Sequence, residues 1–216
     1  MDHKITLDII SDTICPWCFI GKRRLEAALE MRPDLDIDIR WRAYQLNPDM
    51  PKEGMDRRAY LERKFGPDGA EGVYQRISEA GRQAGLAFAL ERIERTPSTT
   101  DSHRLIRWAA TAGVQNEVVE ALFTAYFMEG RDISDPAVLT EIAAATGMDR
   151  ARTSELLDSD ADVELIREEV RLASEMGVTG VPCFIFDNRF AVMGAQAPET
   201  LVEALDRVRS EAAAAG

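Results

Sequence analysis

Strand patterns occur only near the two ends of this 216-residue chain, and helical patterns fill the long stretch between them. The segment KITLDII (4–10) is short, largely apolar and rich in β-branched residues, which is typical of a buried strand. The segment DIDIRWRAYQL (36–46) alternates apolar and polar residues, which predicts a strand with one solvated face. Apolar residues at helical spacing over 16–31 separate the two, so this part of the chain predicts a β-α-β order.

The middle of the chain predicts helices alone. A proline-containing loop, NPDMPKEG (47–54), leads into it, and no segment there has a strand pattern of comparable quality. Helices are expected at 56–65, 70–85, 99–112, 115–129, 135–146, 149–157 and 160–176. Strand patterns return in VPCFIFDNRFAVMG (181–194), where Asp187 and Asn188 suit a hairpin turn, and a last helix is expected over 197–211. The order is therefore β-α-β, an all-helical block, then β-β-α, which is an α/β fold class.

The charge balance excludes some classes of partner. The chain carries 38 acidic and 26 basic side chains, for a net charge of −12. An acidic protein repels phosphate groups, so neither nucleic acid nor an anionic membrane is expected as a partner. The sequence has no apolar run near the ~20 residues that span a bilayer. Its first residues also leave no room for a secretory signal ahead of the cysteines, so a cytoplasmic location is expected.

Cys15 and Cys18 form a C-x-x-C motif between a predicted strand and a predicted helix. Three kinds of site use such a pair: a metal site, a structural disulfide and a redox dithiol. Structural zinc needs four ligands, and the remaining candidates, Cys183, His3 and His103, are scattered along the chain. A disulfide that closes so short a loop removes little entropy from the unfolded chain. The strand–helix context favours the redox interpretation, with no metal expected.

The position of the two thiols predicts their roles. A helix N-terminus carries positive partial charge, which favours the ionised and reactive form of a thiol. Cys15 is expected there, with Pro16 in the first turn and Cys18 one turn further in and less exposed. Such a pair can attack a substrate disulfide with Cys15 and release the mixed disulfide with Cys18. Pro16 and a solvent-facing Trp17 are expected to contact the substrate.

A proline marks the other conspicuous motif, GVTGVPCF (177–184). Proline lacks the amide hydrogen that a strand ladder needs, so Pro182 is expected at the start of the third strand. Val181, the residue before it, is expected to be extended.

Four segments together carry a resemblance to a known family: CPWC, GVTGVP, AVMGAQ and SHRLIRWAA (102–110). With the order of predicted elements, they resemble the DsbA family of thioredoxin-fold proteins, and more narrowly its FrnE-like subgroup. That subgroup is related to 2-hydroxychromene-2-carboxylate isomerases and kappa-class glutathione transferases. The resemblance implies a thioredoxin-like fold with a large all-helical insertion. The thioredoxin-like domain would be discontinuous, formed by 1–48 and 178–216, and the insertion domain would cover 49–177.

The resemblance also implies an activity, that of a thiol–disulfide oxidoreductase. Cys15 would be its nucleophile, Cys18 its resolving thiol and Pro182 a cis-proline beside them. The backbone of Val181 would then be free to pair with an incoming peptide as an added strand would. The expected partners are protein or peptide thiols and disulfides. No cofactor is expected beyond the redox disulfide itself, with glutathione as an optional reductant or ligand.

Two other functions stay open at this point. A glutathione-dependent isomerase or transferase uses the same scaffold, but such relatives carry a serine or a single thiol at the position of Cys15, and this chain keeps both cysteines. A non-catalytic binding module using the edge at Val181 and Pro182 would leave the dithiol without a purpose. The physiological substrate, the electron donor and the oligomeric state stay open, a homodimer included.

Three side chains near these motifs have alternative interpretations. The FrnE-like subgroup usually has threonine after the cis-proline, where this chain has Cys183. Cys183 is either a small buried residue or a third redox thiol that lies close to Cys15 and the substrate. Asp8 and Asp12 are either structural carboxylates or acceptors for the proton that Cys18 loses.

Overall fold

A computed structural model describes residues 4–66 and 69–215. Its strands are β1 (Ile5–Ser11), β2 (Ile37–Ala43), β3 (Met55–Asp56), β4 (Arg95–Thr96), β5 (Cys183–Phe186) and β6 (Phe190–Met193). Its α-helices are α1 (Pro16–Met31), α2 (Arg57–Phe65), α3 (Gly69–Gln83), α4 (Thr100–Ala112), α5 (Gln115–Phe127), α6 (Pro136–Ala145), α7 (Arg150–Leu157), α8 (Val163–Glu175) and α9 (Pro198–Ala215). The predicted order, with a helical block between β-α-β and β-β-α halves, is confirmed.

The sheet joins the two ends of the chain in the order β2-β1-β5-β6. β1 pairs in parallel with β2, from Ile5 opposite Ile37 to Ser11 opposite Ala43. On its other side, β1 pairs antiparallel with β5. The predicted hairpin between β5 and β6 is confirmed, because the two strands pair antiparallel across a three-residue loop, 187–189. Asp187 and Asn188 have positive φ values of 49° and 53°, and the Arg189 N–H donates to the Phe186 carbonyl at 2.9 Å.

The two faces of the sheet pack against different partners. Successive side chains of a strand point to opposite faces. Leu7 and Ile9 of β1 belong to the large core that includes Phe19 of α1 and Leu205 of α9. Ile10 belongs instead to a smaller cluster formed with α8 and the residues after it. The helix α1, which begins at the C-x-x-C segment, and the helix α8 therefore lie on opposite faces of the central strand.

The inserted helices begin and end near the predicted positions because their sequences carry cap signals. The Asp135 side chain accepts the Ala137 amide at the start of α6, and Gly113 ends α4 with a φ of 74°. Sequence reasoning expected no strand here, and β3 and β4 correct that expectation. They pair antiparallel over two residues each. So short a ribbon has no alternating pattern to detect, and the fold rather than the local sequence creates it.

The core crosses the expected boundary between the thioredoxin-like part and the insertion. Phe19 of α1 stacks on Phe123 of α5 with ring centroids 5.0 Å apart. The division into 1–48 with 178–216 and 49–177 stays a prediction. None of the described helices combines the length and the apolar composition needed to cross a membrane.

Side chains of the insertion occupy the hydrogen-bonding edge of β2. The Gln115 amide accepts the Trp41 N–H at 2.9 Å and donates to the Trp41 carbonyl at 3.2 Å. Glu169 accepts the Ala43 N–H at 3.2 Å. The backbone groups of an exposed strand edge can pair with a strand of another chain. Here side chains of the same molecule form hydrogen bonds with these backbone groups of β2.

Replacing Gln115 tests this attachment. In Gln115→Ala, a backbone donor and a backbone acceptor of Trp41 lose their partners, so the free energy of unfolding is expected to fall by about 1–3 kcal/mol. Chemical denaturation measures the change. The matched control is Gln83→Ala, whose side chain donates to the exposed Glu79 carboxylate at 3.0 Å. If both variants lose the same free energy, the edge contact has no special role.

Candidate redox site

The C-x-x-C segment forms the first turn of α1, as predicted. Cys15 is the N-cap residue with φ −93° and ψ 111°, and Pro16 follows in the first turn. The Cys15 N–H donates to the Asp12 carbonyl at 3.0 Å, so a tight turn connects β1 to the helix. The first turn contains no acidic side chain that would neutralise the positive end of the helix dipole. Both cysteines are free thiols, and Trp17 between them is 39% exposed, as expected.

Cys15 and Cys18 are both buried, with 3% and 1% of their surface exposed, and the surroundings of Cys18 favour its protonated form. Burial raises the pKa of its thiol well above the ordinary value, and the neighbouring Cys15 thiol raises it further. The Ser11 side chain and the Asp12 backbone contact the Cys18 sulfur and oppose this effect without cancelling it. Cys18 therefore needs to lose a proton before it can attack a disulfide.

The segment containing Pro182 lies beside the first cysteine. The Val181–Pro182 peptide bond is cis, as the resemblance implied. The Cys15 thiol donates to the Val181 carbonyl with a sulfur–oxygen distance of 3.6 Å. Within the described part of the chain, the Val181 N–H has no hydrogen-bond partner. The structure thus brings together Cys15, Cys18, Val181 and Pro182, which are far apart in the sequence.

The AVMGAQ segment supports this proline from behind. The Gly194 N–H donates to the Pro182 carbonyl at 2.7 Å. Gly194 has a φ of 79°, a conformation that glycine adopts without steric cost. The Gln196 side chain closes the same turn by donating to the Met193 carbonyl at 2.8 Å. These contacts fix the start of β5 and therefore the position of Val181.

Cys183 follows Pro182 but occupies the other face of the sheet. It is fully buried against Ile10, Ala173 and Val178, whereas Cys15 and Cys18 belong to the large core on the α1 side. Burial raises the pKa of the Cys183 thiol. This placement supports the interpretation as a small buried residue. A role for Cys183 as a third redox thiol or in substrate contact stays a prediction.

The two candidate carboxylates have different surroundings. Asp8 lies on the same face of β1 as Ile10, away from α1, and its carboxylate accepts from the Arg42 guanidinium at 2.6 Å. Asp12 is fully buried, and one of its oxygens accepts the Leu46 N–H at 2.7 Å. Its other oxygen, Oδ1, has no hydrogen-bond partner among the described residues. Asp12 is therefore the better candidate for proton transfer.

Sequence reasoning missed a buried polar network that reaches this loop from α4. Ser102 and Thr13 share a hydrogen bond of 2.8 Å, and both are buried. His103 Nε2 lies 2.9 Å from the Tyr44 carbonyl and 3.5 Å from Asp12 Oδ1. The SHRLIRWAA motif was the available signal, but a local sequence does not show which loop the helix packs against. Only the fold shows that this motif supports the turn before Cys15.

No metal centre emerges from the described residues. Among residues 4–66 and 69–215, no three histidine, cysteine, aspartate or glutamate side chains are grouped so that they could bind an ion together. His3, one of the candidates considered from the sequence, lies outside these residues.

Thiol alkylation tests the predicted difference between the cysteines. In the folded, reduced protein at about pH 8, near the ordinary thiol pKa, iodoacetamide is expected to label Cys15 and to leave Cys18 and Cys183 unmodified. The raised pKa values of these two thiols keep them protonated at that pH. Peptide mass spectrometry identifies the labelled sites, and denatured protein labelled at all three is the control. Equal labelling rates for Cys15 and Cys18 would contradict the assignment.

Paired carboxylate variants test the proton acceptor. Asp12→Asn is expected to slow the attack of Cys18 on a mixed disulfide by about 100-fold, the lower end of general-base contributions. Asp8→Asn is the matched control and is expected to leave the rate within about twofold, because Asp8 faces away from α1. Stopped-flow release of thionitrobenzoate from a preformed mixed disulfide on Cys15 measures the rate. Equal rates in both variants would remove Asp12 from the reaction.

Comparisons with known proteins agree with this fold. The chain resembles the structure of a probable DsbA oxidoreductase from Streptomyces coelicolor, with 30% sequence identity over 96% of this chain and 91% of the other, and a TM-score of 0.87. A 2-hydroxychromene-2-carboxylate isomerase is 17% identical, with a TM-score of 0.72 over 98% of this chain and 99% of the other. The cytosolic disulfide reductase DsbM from Pseudomonas aeruginosa, in a structure with GSH, is 19% identical, with a TM-score of 0.62 over 97% and 98%.

A match to a family model shows how much of the chain the family likeness covers. The model of the DSBA-like thioredoxin domain matches residues 6–206, which includes both halves of the sheet and all the helices between them. The thioredoxin-like fold and the FrnE-like resemblance drawn from the motifs agree with this match and with the structural relatives. The chain belongs to the family of proteins with a DSBA-like thioredoxin domain.

Proposed function

We propose that this protein exchanges disulfides with protein or peptide substrates through Cys15 and Cys18. One observation carries the proposal: the Cys15 sulfur lies 3.6 Å from the carbonyl of Val181, beside the cis-proline. A nucleophilic thiol thereby sits next to a free backbone edge. A peptide aligned on that edge would present its own disulfide to Cys15.

The chemistry proceeds in two exchange steps. The Cys15 thiolate attacks one substrate sulfur, the substrate disulfide breaks, and the departing substrate sulfur takes up a proton. Cys18 then loses its proton and attacks the Cys15 sulfur. This second attack releases the reduced substrate and leaves a Cys15–Cys18 disulfide. In the reverse direction, the same steps oxidise a substrate dithiol.

The surface around Cys15 fits a peptide better than a small ligand. The unpaired Val181 N–H offers a backbone hydrogen bond, and its carbonyl offers a second one once the Cys15 proton has left. Trp17 is exposed and Pro16 is partly buried, so they provide an apolar contact next to the reacting sulfur. Recognition through backbone and apolar contacts places few demands on the peptide sequence.

We place the reaction in the cytoplasm, with the dithiol kept largely reduced by the glutathione pool. The protein would then act as a reductase or isomerase, or in the response to oxidative stress, rather than drive bulk disulfide formation. The structural likeness to DsbM, described as a cytosolic disulfide reductase, supports this direction.

A glutathione-dependent isomerase is the second candidate, because the fold also matches that of a 2-hydroxychromene-2-carboxylate isomerase. The two candidates differ in their need for Cys18. An enzyme that only activates bound glutathione needs one side chain, at position 15. Disulfide exchange needs both thiols.

Serine variants of the two cysteines test the proposal. Cys15→Ser is expected to reduce insulin disulfides only at the uncatalysed rate, because the attacking sulfur is gone. Cys18→Ser is expected to accumulate a mixed disulfide between Cys15 and the substrate, since nothing resolves it. Insulin turbidity and non-reducing electrophoresis measure the two effects, and scrambled ribonuclease measures isomerase activity.

The outcome also separates the two candidates. Turnover that survives in Cys15→Ser would contradict disulfide exchange at this site. Isomerisation of a non-disulfide substrate that needs glutathione and survives in Cys18→Ser would favour the second candidate.

A further inference from the structure

Pro182 packs directly against α1 at a position where the helix has no side chain. A Cβ atom placed on Gly21 would lie 2.8 Å from Pro182 Cγ and 3.3 Å from Phe184 Cζ. Carbon atoms in contact are normally about 3.5–4.0 Å apart. Even a methyl group therefore does not fit between α1 and the cis-proline.

Backbone conformation does not account for this glycine. Gly21 lies inside the helix Pro16–Met31 and is not among the glycines with positive φ. Glycine weakens a helix interior relative to alanine, so its presence needs another reason. The contact with Pro182 supplies one, because only a residue without a Cβ lets the proline ring come this close.

The same contact determines how the reacting groups face each other. Gly21 is one helical turn beyond Cys18 on α1, and Pro182 is bonded to Val181, whose carbonyl accepts from the Cys15 thiol. We propose that Gly21 is a positioning residue that sets the spacing between the Cys15 sulfur and the peptide-docking backbone of Val181. This inference rests on the proposed function, and it gives a residue of α1 a role in aligning the peptide substrate with Cys15.

Neither side of the contact is free to give way without moving the site. On one side, Pro182 is held through its carbonyl by the Gly194 N–H. Phe184 is fully buried in the core. On the other side, α1 is fixed by the stacking of Phe19 on Phe123. An added methyl group therefore has to shift Pro182, and Val181 with it, by about 0.7 Å to reach normal contact.

The test compares two disulfide substrates on the variant Gly21→Ala. A peptide disulfide needs alignment along Val181, whereas hydroxyethyl disulfide has no peptide backbone to align. We expect kcat/KM for the peptide to fall about tenfold or more, since misplacement near 1 Å has effects of this order. The rate with hydroxyethyl disulfide should change less than about twofold.

Two glycine variants serve as controls. Gly72→Ala in α3 adds a methyl group with nothing within 4 Å, so both rates should match the wild type. Gly130→Ala places a Cβ 2.5 Å from the Arg92 carbonyl at a φ of 72°, within the inserted helical block. It should lower the thermal unfolding temperature and leave the ratio of rates unchanged.

The outcomes distinguish this inference from the proposed function. If the wild type does not exchange peptide disulfides, the proposed function fails. If the wild type does so and Gly21→Ala keeps the same ratio of rates, the positioning role fails alone. A Gly21→Ala protein without a cooperative unfolding transition would show that the glycine serves the fold as a whole, and would also overturn the assignment.

Discussion

The pairing of β1 with β5 joins two parts of the chain that are far apart in sequence, and the rest of the structure depends on it. Leu7 opposite Phe186 and Ile10 opposite Cys183 fix the register of this antiparallel pair. That register places Pro182 just before β5, at the end of the sheet where β1 turns into the C-x-x-C helix. The long helical block lies between β2 and β5 in the sequence, so it does not interrupt the pairing of β1 with β5.

The alternation of side chains along β1 places polar and thiol groups on different faces of the sheet. Ser11 is on the α1 side and contacts the Cys18 sulfur, whereas Asp8 and Ile10 are on the α8 side. Cys183 also belongs to the α8 side. The three cysteines are thus divided into two thiols on the α1 side of the sheet and one on the α8 side, and burial raises the pKa of both Cys18 and Cys183. The face on which each thiol lies cannot be read from its spacing in the sequence.

Much of the fold follows from local patterns. The hydrophobic period predicted every long helix and the four strands of the main sheet, and aspartate caps and terminal glycines fixed many of their ends. The ribbon of β3 and β4 was missed, since two-residue strands have no period. The contact of Gln115 with the edge of β2 was also beyond prediction, because a side chain that replaces a neighbouring strand leaves no mark on the local sequence.

The sequence by itself determined the C-x-x-C pair, its place at a helix N-terminus and the α/β class of the fold. These depend on residue types and on the order of neighbouring residues, both of which are read directly from the sequence. Only the tertiary structure decided that Asp12 is fully buried near His103, whereas Asp8 pairs with Arg42 on the other face of β1. It also decided that Cys183 lies on the face of the sheet opposite the dithiol, and that Gly21 admits the proline ring. Each of these depends on which segments come into contact when distant parts of the chain pack together. At contact distance, the face of a strand on which a side chain lies, or the presence of a single methyl group, decides whether two surfaces fit.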